Sequence, residues 1–331
     1  MPMGHSVQLF KWLPGNNFKS LFCMVCGCLW FSMLTAQKGI DTAYAAQIGD
    51  FRQWITMKGD NRNAPLLLWL HGGPGASAIS YADRFTNKLR KHFIVVQWDQ
   101  RGTGKTATLS PDAPLLLAAI HEDVQKVIIH LLQHYNRKKL FLAGNSWGGY
   151  LAIQAADKAP GLIYACILIS PGIAMGESEK LSLRFVTSEA QKRDDQKAQT
   201  EIASIHYPFE REEDIFLLRK WMFTYHGQKV YKALPPQEEY LKLARPWMSV
   251  IKQYNDFNPI TEIKEIKCPL YFLLGKDDYI THPEVAEQFY NSVTAPKKKL
   301  YWYNAGHMIT LQQPGKMQNT IIEEILPAAA N

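Results

Sequence analysis

The sequence is poor in cysteine, and what it has is unevenly placed. Of five cysteines, Cys23, Cys26 and Cys28 cluster near the start, which leaves Cys166 and Cys268 for the rest of the chain. Two isolated thiols in apolar segments exclude a disulfide framework and a cysteine-based zinc site; they read as small buried side chains. Internal repeats and low-complexity tracts are missing too, which excludes solenoids and polar linkers. Charge is sparse: charged residues make up 20% of the 331, with a net of +7. The densest basic runs, Arg137-Lys138-Lys139 and Lys297-Lys298-Lys299, each stand before an apolar strand-like run. They read as solvated strand approaches, and no zinc-knuckle or aromatic-basic signature accompanies them, so nucleic acid is not expected as a partner. Gly102-Thr103-Gly104-Lys105-Thr106 resembles the end of a P-loop, but Asp99 stands where the motif needs its first glycine. Nucleotide binding is excluded on that ground.

A long hydrophobic run is also lacking. Leu21–Leu34 carries no charge and follows Lys11 and Lys19, but it is shorter than the ~20 residues of a spanning helix. Residues 1–36 read as a secretory signal peptide, with Ala36 as a cleavage point, or as a membrane anchor acting through residues 21–35. Val25-Cys26-Gly27-Cys28 offers lipidation of Cys28 as a variant of the second reading. The expected location is export to a periplasm or the exterior, or membrane attachment, with the cytoplasm as the alternative.

What is present is an apolar fraction of 47%, ample for a core. Ala45–Met57 alternates loosely and precedes the turn-like Gly59-Asp60-Asn61, which predicts a hairpin. Leu66–Leu70, Phe93–Trp98, Leu140–Ala143, Ile163–Ile169, Leu270–Leu274 and Lys299–Tyr303 are short continuous apolar runs, as expected of parallel strands covered on both faces. Between them Leu115–Tyr135 has helical periodicity, with Val124, Ile128, Leu131 and Tyr135 near one face, and Trp147–Ala156 and Pro283–Tyr290 read as further helices. This alternation predicts an α/β fold with a mostly parallel sheet. From 176 to 257 the charge density rises and the spacing is helical throughout, as at Ile215, Leu218, Trp221 and Met222. The chain therefore divides into a first core part (37–175), a helical cap (176–257) and a second core part (258–331).

The chemistry is expected at Gly144-Asn145-Ser146-Trp147-Gly148. After a strand and before a helix, Gly-x-Ser-x-Gly forms a sharp, strained turn that lifts the serine hydroxyl above the sheet edge. A neutral hydroxyl is a poor nucleophile and needs a base. His307, in the loop after the strand Lys299–Tyr303, is the candidate. His121, His130 and His134 belong to one helix, and His206, His226 and His282 lack a comparable position. The orienting acid is Asp277 or Asp278, at the C-terminal end of a strand where open α/β sheets place ligands. Asp278 is preferred. The order Ser, Asp, His is that of an α/β-hydrolase. His71-Gly72-Gly73-Pro74-Gly75 predicts an oxyanion loop, with the N–H groups of Gly73 and Trp147 as donors. The loop Gly102–Thr106 is expected to buttress the active site, with Arg101 tied to nearby carbonyls or carboxylates.

His71–Gly75, Asp99-Gln100-Arg101-Gly102-Thr103-Gly104, Gly144–Gly149, Gly275–Asp278 and Ala305-Gly306-His307 together resemble the proline iminopeptidase-like serine aminopeptidases. The resemblance spans residues 40–326. It implies an α/β-hydrolase fold with a cap that limits substrate size, and no cofactor or metal. It also implies release of an N-terminal residue, such as proline, from short peptides, with cap carboxylates binding the free α-amine. Glu210, Glu212, Glu213, Glu238 and Glu239 are the cap carboxylates in the sequence; a Trp-Glu element at the cap's end is missing, and Arg245-Pro246-Trp247 is followed by Met248. Trp221, Phe223, Tyr225 and Trp247 are candidates for an apolar pocket. A small-molecule carboxylesterase or lactonase with the same three residues is the alternative. The oligomeric state is not set by these features.

Overall fold

The computed structural model describes residues 39–226 and 234–330. The signal peptide or anchor expected over residues 1–36 therefore lies outside the described residues. Membrane association through residues 21–35 was expected, yet among the described residues no helix is long and apolar enough to cross a membrane. The charge-free run itself falls short of the ~20 residues that a hydrocarbon core demands.

Eight strands form a single sheet in the order β1-β2-β4-β3-β5-β6-β7-β8. They are β1 (Ile40–Ile48), β2 (Phe51–Gly59), β3 (Leu66–Leu70), β4 (Ile94–Trp98), β5 (Leu140–Asn145), β6 (Ile163–Ile169), β7 (Leu270–Gly275) and β8 (Lys298–Tyr303). β1 pairs with β2, and β2 with β4, antiparallel; every pairing from β4 to β8 is parallel. The hairpin turns at Gly49-Asp50, ten residues before the turn expected from Gly59-Asp60-Asn61, with Ile48 opposite Phe51. β2 runs on to Gly59 because it is paired on both edges, against β1 and β4.

Every residue of β3, β4, β5 and β7 is buried. Alternation sends Leu66, Leu68 and Leu70 into the core on one face of the sheet, and Leu67 and Trp69 into the core on the other. On the first face lie α1 (Leu117–His134), which buries Val124, Ile128 and Leu131, and α2 (Trp147–Lys158). β4 lies on one side of β3 and β5 on the other, so the loops leaving β3 and β5 diverge. That strand-order reversal opens a crevice at the C-terminal sheet edge, where doubly wound sheets bind ligands.

A helical cap is inserted between β6 and β7. Its elements are α3 (Met175–Lys192), α4 (Gln196–Ala203), α5 (Glu212–His226), α6 (Gln237–Ala244) and α7 (Met248–Asp256). The cap has a small core of its own, holding Val186, Ile202, Phe209, Leu218, Trp221 and Tyr225. Past β7, α8 (Pro283–Ser292) leads back to β8. Cys166 and Cys268 are buried free thiols.

Candidate active site

Ser146 links β5 to α2 with φ 55° and ψ −119°, a conformation costly for any residue with a side chain. The surroundings over-determine it. Its N–H donates to Ile169 O (3.0 Å), and its carbonyl accepts from Gly149 N–H (2.8 Å) and Gly172 N–H (3.0 Å). The flanking glycines are required by contact: a Cβ on Gly144 would lie 2.1 Å from Gly148 O, and one on Gly148 would lie 2.0 Å from Leu70 O. The side chain is thereby held at the N-terminus of α2, where free backbone N–H groups and the helix dipole favour negative charge.

Ser146 Oγ is 3.0 Å from His307 Nε2, and His307 Nδ1 is 2.9 Å from Asp278 Oδ2. Asp278 accepts at its other oxygen from Ile280 N–H (2.9 Å) and Thr281 N–H (3.0 Å), while the Thr281 hydroxyl donates to Oδ2 (2.7 Å). Burial would raise the pKa of this carboxyl. The imidazole's charge and the hydrogen bonds from His307 and Thr281 outweigh burial and hold it down to about 2. An ionised Asp278 places the imidazole proton on Nδ1 and leaves Nε2 to accept from Ser146. A hydroxyl facing a basic imidazole nitrogen can act as a nucleophile toward an acyl carbon. Asp277 takes no part in this series; its N–H donates to Ala305 O (3.0 Å) and its carbonyl accepts from the ring of His226 (2.9 Å). Thr281 carried no sequence signal: a threonine three residues after an aspartate is unremarkable until the turn folds it back.

The loop after β3 lies across from Ser146. A Cβ on Gly72 would lie 3.5 Å from Ser146 Cβ. Gly73 has φ +146° and Gly75 φ +89°, on either side of Pro74. His71 does not face the cavity. It is buried, and burial pushes its pKa down, so it stays neutral. Its Nδ1–H donates to Gly72 O (2.7 Å) and its Nε2 accepts from Gln100 N–H (3.2 Å). The Gln100 amide donates to His71 O (3.0 Å) and accepts from Trp147 Nε1–H (2.8 Å), joining the glycine loop to α2. Asp99, which displaces the P-loop glycine, accepts from Lys105 N–H (2.8 Å) and from the Ser77 hydroxyl. Arg101 points away from the cavity into a buried bidentate pair with Asp123 of α1 (2.8 and 2.9 Å), and it also donates to Pro114 O (3.3 Å).

Above Ser146 and His307 the cap closes a cavity of about 470 Å³. Its walls include Gly72–Ala76 from the core and Met175, Ile215, Tyr240, Trp247 and Tyr254 from the cap, with Arg219 also present. Of the four aromatics expected there, Trp247 lines the cavity, while Trp221 and Tyr225 belong to the cap's own core. None of Glu210, Glu212, Glu213, Glu238 and Glu239 is among the described lining residues. Glu212 pairs instead with Arg245 (2.5 Å), and Glu210 lines a neighbouring cavity.

A profile of the alpha/beta hydrolase family matches residues 67–317, the span that contains every group just described. The chain belongs to the alpha/beta hydrolase family. Within that family its matches run to the proline iminopeptidase branch. It is 29% identical over 323 residues to a probable aminopeptidase, YbaC, of Bacillus subtilis strain 168, covering 87% of this chain and 98% of that protein. A proline iminopeptidase of Clostridium botulinum is 29% identical over 271 residues, covering 76% and 86%. Among solved structures, the proline iminopeptidase of Mycobacterium smegmatis superposes with a TM-score of 0.61 at 16% identity, covering 87% of this chain and 99% of that one. That likeness is one of hydrolase fold.

Proposed function

We propose that the protein is a serine hydrolase that releases the N-terminal residue, proline among them, from short peptides or amino-acid amides. The observation that carries this reading is the Ser146–His307–Asp278 hydrogen-bond series at the floor of a small, capped, largely apolar cavity. Ser146 Oγ attacks the first carbonyl carbon as its proton passes to His307 Nε2. The N–H groups of Gly73 and Trp147 receive the oxyanion, helped by the N-terminus of α2. The C–N bond then breaks, and the imidazolium returns its proton to the departing amine. Water, deprotonated by His307, attacks the acyl-enzyme and frees Ser146. Asp278 fixes the imidazole tautomer and stabilises the imidazolium throughout. The cap limits the length of chain on the acyl side, and so favours a terminal residue over an internal one.

The test compares aminoacyl-arylamides, their N-blocked counterparts and short-chain aryl esters. Preference for free-amine amides supports the aminopeptidase reading; equal turnover of blocked amides, or cleavage of esters alone, overturns it. The second reading, a small-molecule carboxylesterase or lactonase, is favoured by one observation: the described lining of the cavity contains no carboxylate to hold an α-ammonium. We propose that residues 1–36 direct export. N-terminal sequencing of the native protein tests it, and an exported product should start beyond Ala36.

A further inference from the structure

The turn that carries Asp278 is gripped by the cap. Ser182, on the buried face of α3, is fully buried, and its hydroxyl lies 2.8 Å from Tyr279 O, 2.9 Å from Ser178 O and 3.2 Å from His282 Nε2. One hydroxyl has one proton to give, and two carbonyls compete for it. The His282 contact is therefore Nε2–H donating to Ser182 Oγ. On its other side, His282 Nδ1 is 3.3 Å from Glu284 Oε1. The backbone of His282 is strained, with φ +23° and ψ 108°, at the junction between the Asp278 turn and α8. A non-glycine residue stays there only where neighbours enforce it, and Ser182 is such a neighbour. Between these contacts the Tyr279 ring is flanked by cap aromatics, Phe185 at 4.5 Å and His226 at 4.4 Å. The same turn reaches the cavity through Ile280, and α3 reaches it through Met175.

We infer that Ser182 and His282 are positioning residues, a latch through which the cap holds the Asp278–Thr281 turn against His307. This rests on the proposed roles of Ser146, His307 and Asp278. The latch acts on the acid and not on the substrate. Asp278 Oδ2 meets His307 because Ile280, Thr281 and the Thr281 hydroxyl hold the carboxylate, and Ser182 and His282 fix both ends of that short turn. Cap seating and imidazole orientation are thereby one event.

The test uses the full chain and four proteins: wild type, Ser182→Ala, His282→Ala and His282→Gln, which keeps an N–H donor. Active sites are counted with a fluorophosphonate, and kcat and KM are measured per labelled site on a short-chain aryl ester. Removing the correct orientation of the acid outright costs about 10⁴ in kcat in a serine hydrolase, so loosening it should cost about tenfold. The expected result is that drop in kcat for Ser182→Ala and His282→Ala with KM little changed, partial recovery in His282→Gln, and a displaced or broadened low-field N–H resonance of His307. Unchanged kcat and resonance, with only thermal stability reduced, would overturn the latch. Should Ser182→Ala fail to fold, the His282 pair decides by the same criteria. A wild-type protein that takes no label would sink the nucleophile assignment, and the latch with it.

Discussion

Trp247 of the cap lies against the backbone of Gly75: a Cβ on Gly75 would stand 2.8 Å from the indole Nε1. The same indole covers Gly102, whose Cβ would stand 3.0 Å from Cζ2. One side chain thus spans both glycine loops and forms part of the cavity wall. Trp247→Leu should relax size selection. The ratio of kcat/KM for octanoyl to butanoyl aryl esters is expected to rise about tenfold, the effect of roughly one further methylene accommodated in an apolar pocket. Parallel kinetics on the two esters check this, and an unchanged ratio means that the acyl chain lies elsewhere.

Replacing the proposed nucleophile gives the sharpest result. Ser146→Ala should lose fluorophosphonate labelling entirely and reduce kcat by on the order of 10⁴-fold or more. Its melting temperature should stay close to that of the wild type, because alanine keeps the Cβ and bears the same strain at φ 55°. Residual labelling, located by peptide mapping, would reveal a different nucleophile.

Asp278 ties stability to pH. Its folded pKa of about 2 lies below the usual carboxylate value of ~3.9, so the ionised form is favoured in the folded state. The contribution is present in full above pH ~4 and is lost as pH falls toward 2. A shift of this size corresponds to about 2 kcal/mol. Urea unfolding of wild type and Asp278→Asn should therefore show a stability gap at pH 5 to 6 that narrows as the buffer is taken toward pH 3. A gap that widened on acidification would contradict the assignment.

The Arg101–Asp123 pair predicts a different pattern. Both side chains are buried, at 6% and 1% exposure. Asp123→Ala leaves a guanidinium without its counter-charge and should cost about 3–5 kcal/mol, whereas Arg101→Met with Asp123→Leu should be close to neutral. Chemical denaturation of the single and double variants separates the two. Activity should follow folding, because neither residue lines the cavity.

Legibility followed the range of the interactions. β3, β6 and β7 were readable because strands buried on both faces leave uninterrupted apolar runs, and the elbow was readable because its residues are contiguous, although only Gly144 is demanded by a local contact, with Gly148 O, while Gly148 is demanded by Leu70 O of a distant strand. The hairpin turn was misplaced because Gly49-Asp50 and Gly59-Asp60 carry the same local signal; pairing of β2 along two edges decides between them. The cap was visible as a change of period, but which of its aromatics face the cavity depends on how its helices roll over the core. Thr281 and Ser182 left no trace in the sequence, and Gln100 stood in a motif that did not show its role, since each matters through partners that the fold brings close.

The insertion between β6 and β7 also sets a schedule. Ser146 lies before the cap, whereas Asp278 and His307 lie after it, the imidazole 161 positions beyond the serine it meets. A ribosome therefore exposes the hydroxyl long before it has made the base, and β7 and β8 join the sheet last, at its far side. Under the proposed mechanism, a nascent or prematurely ended chain carries a serine that cannot react. Hydrolytic capacity arrives in a single step, once β8 and the loop that carries His307 are in place.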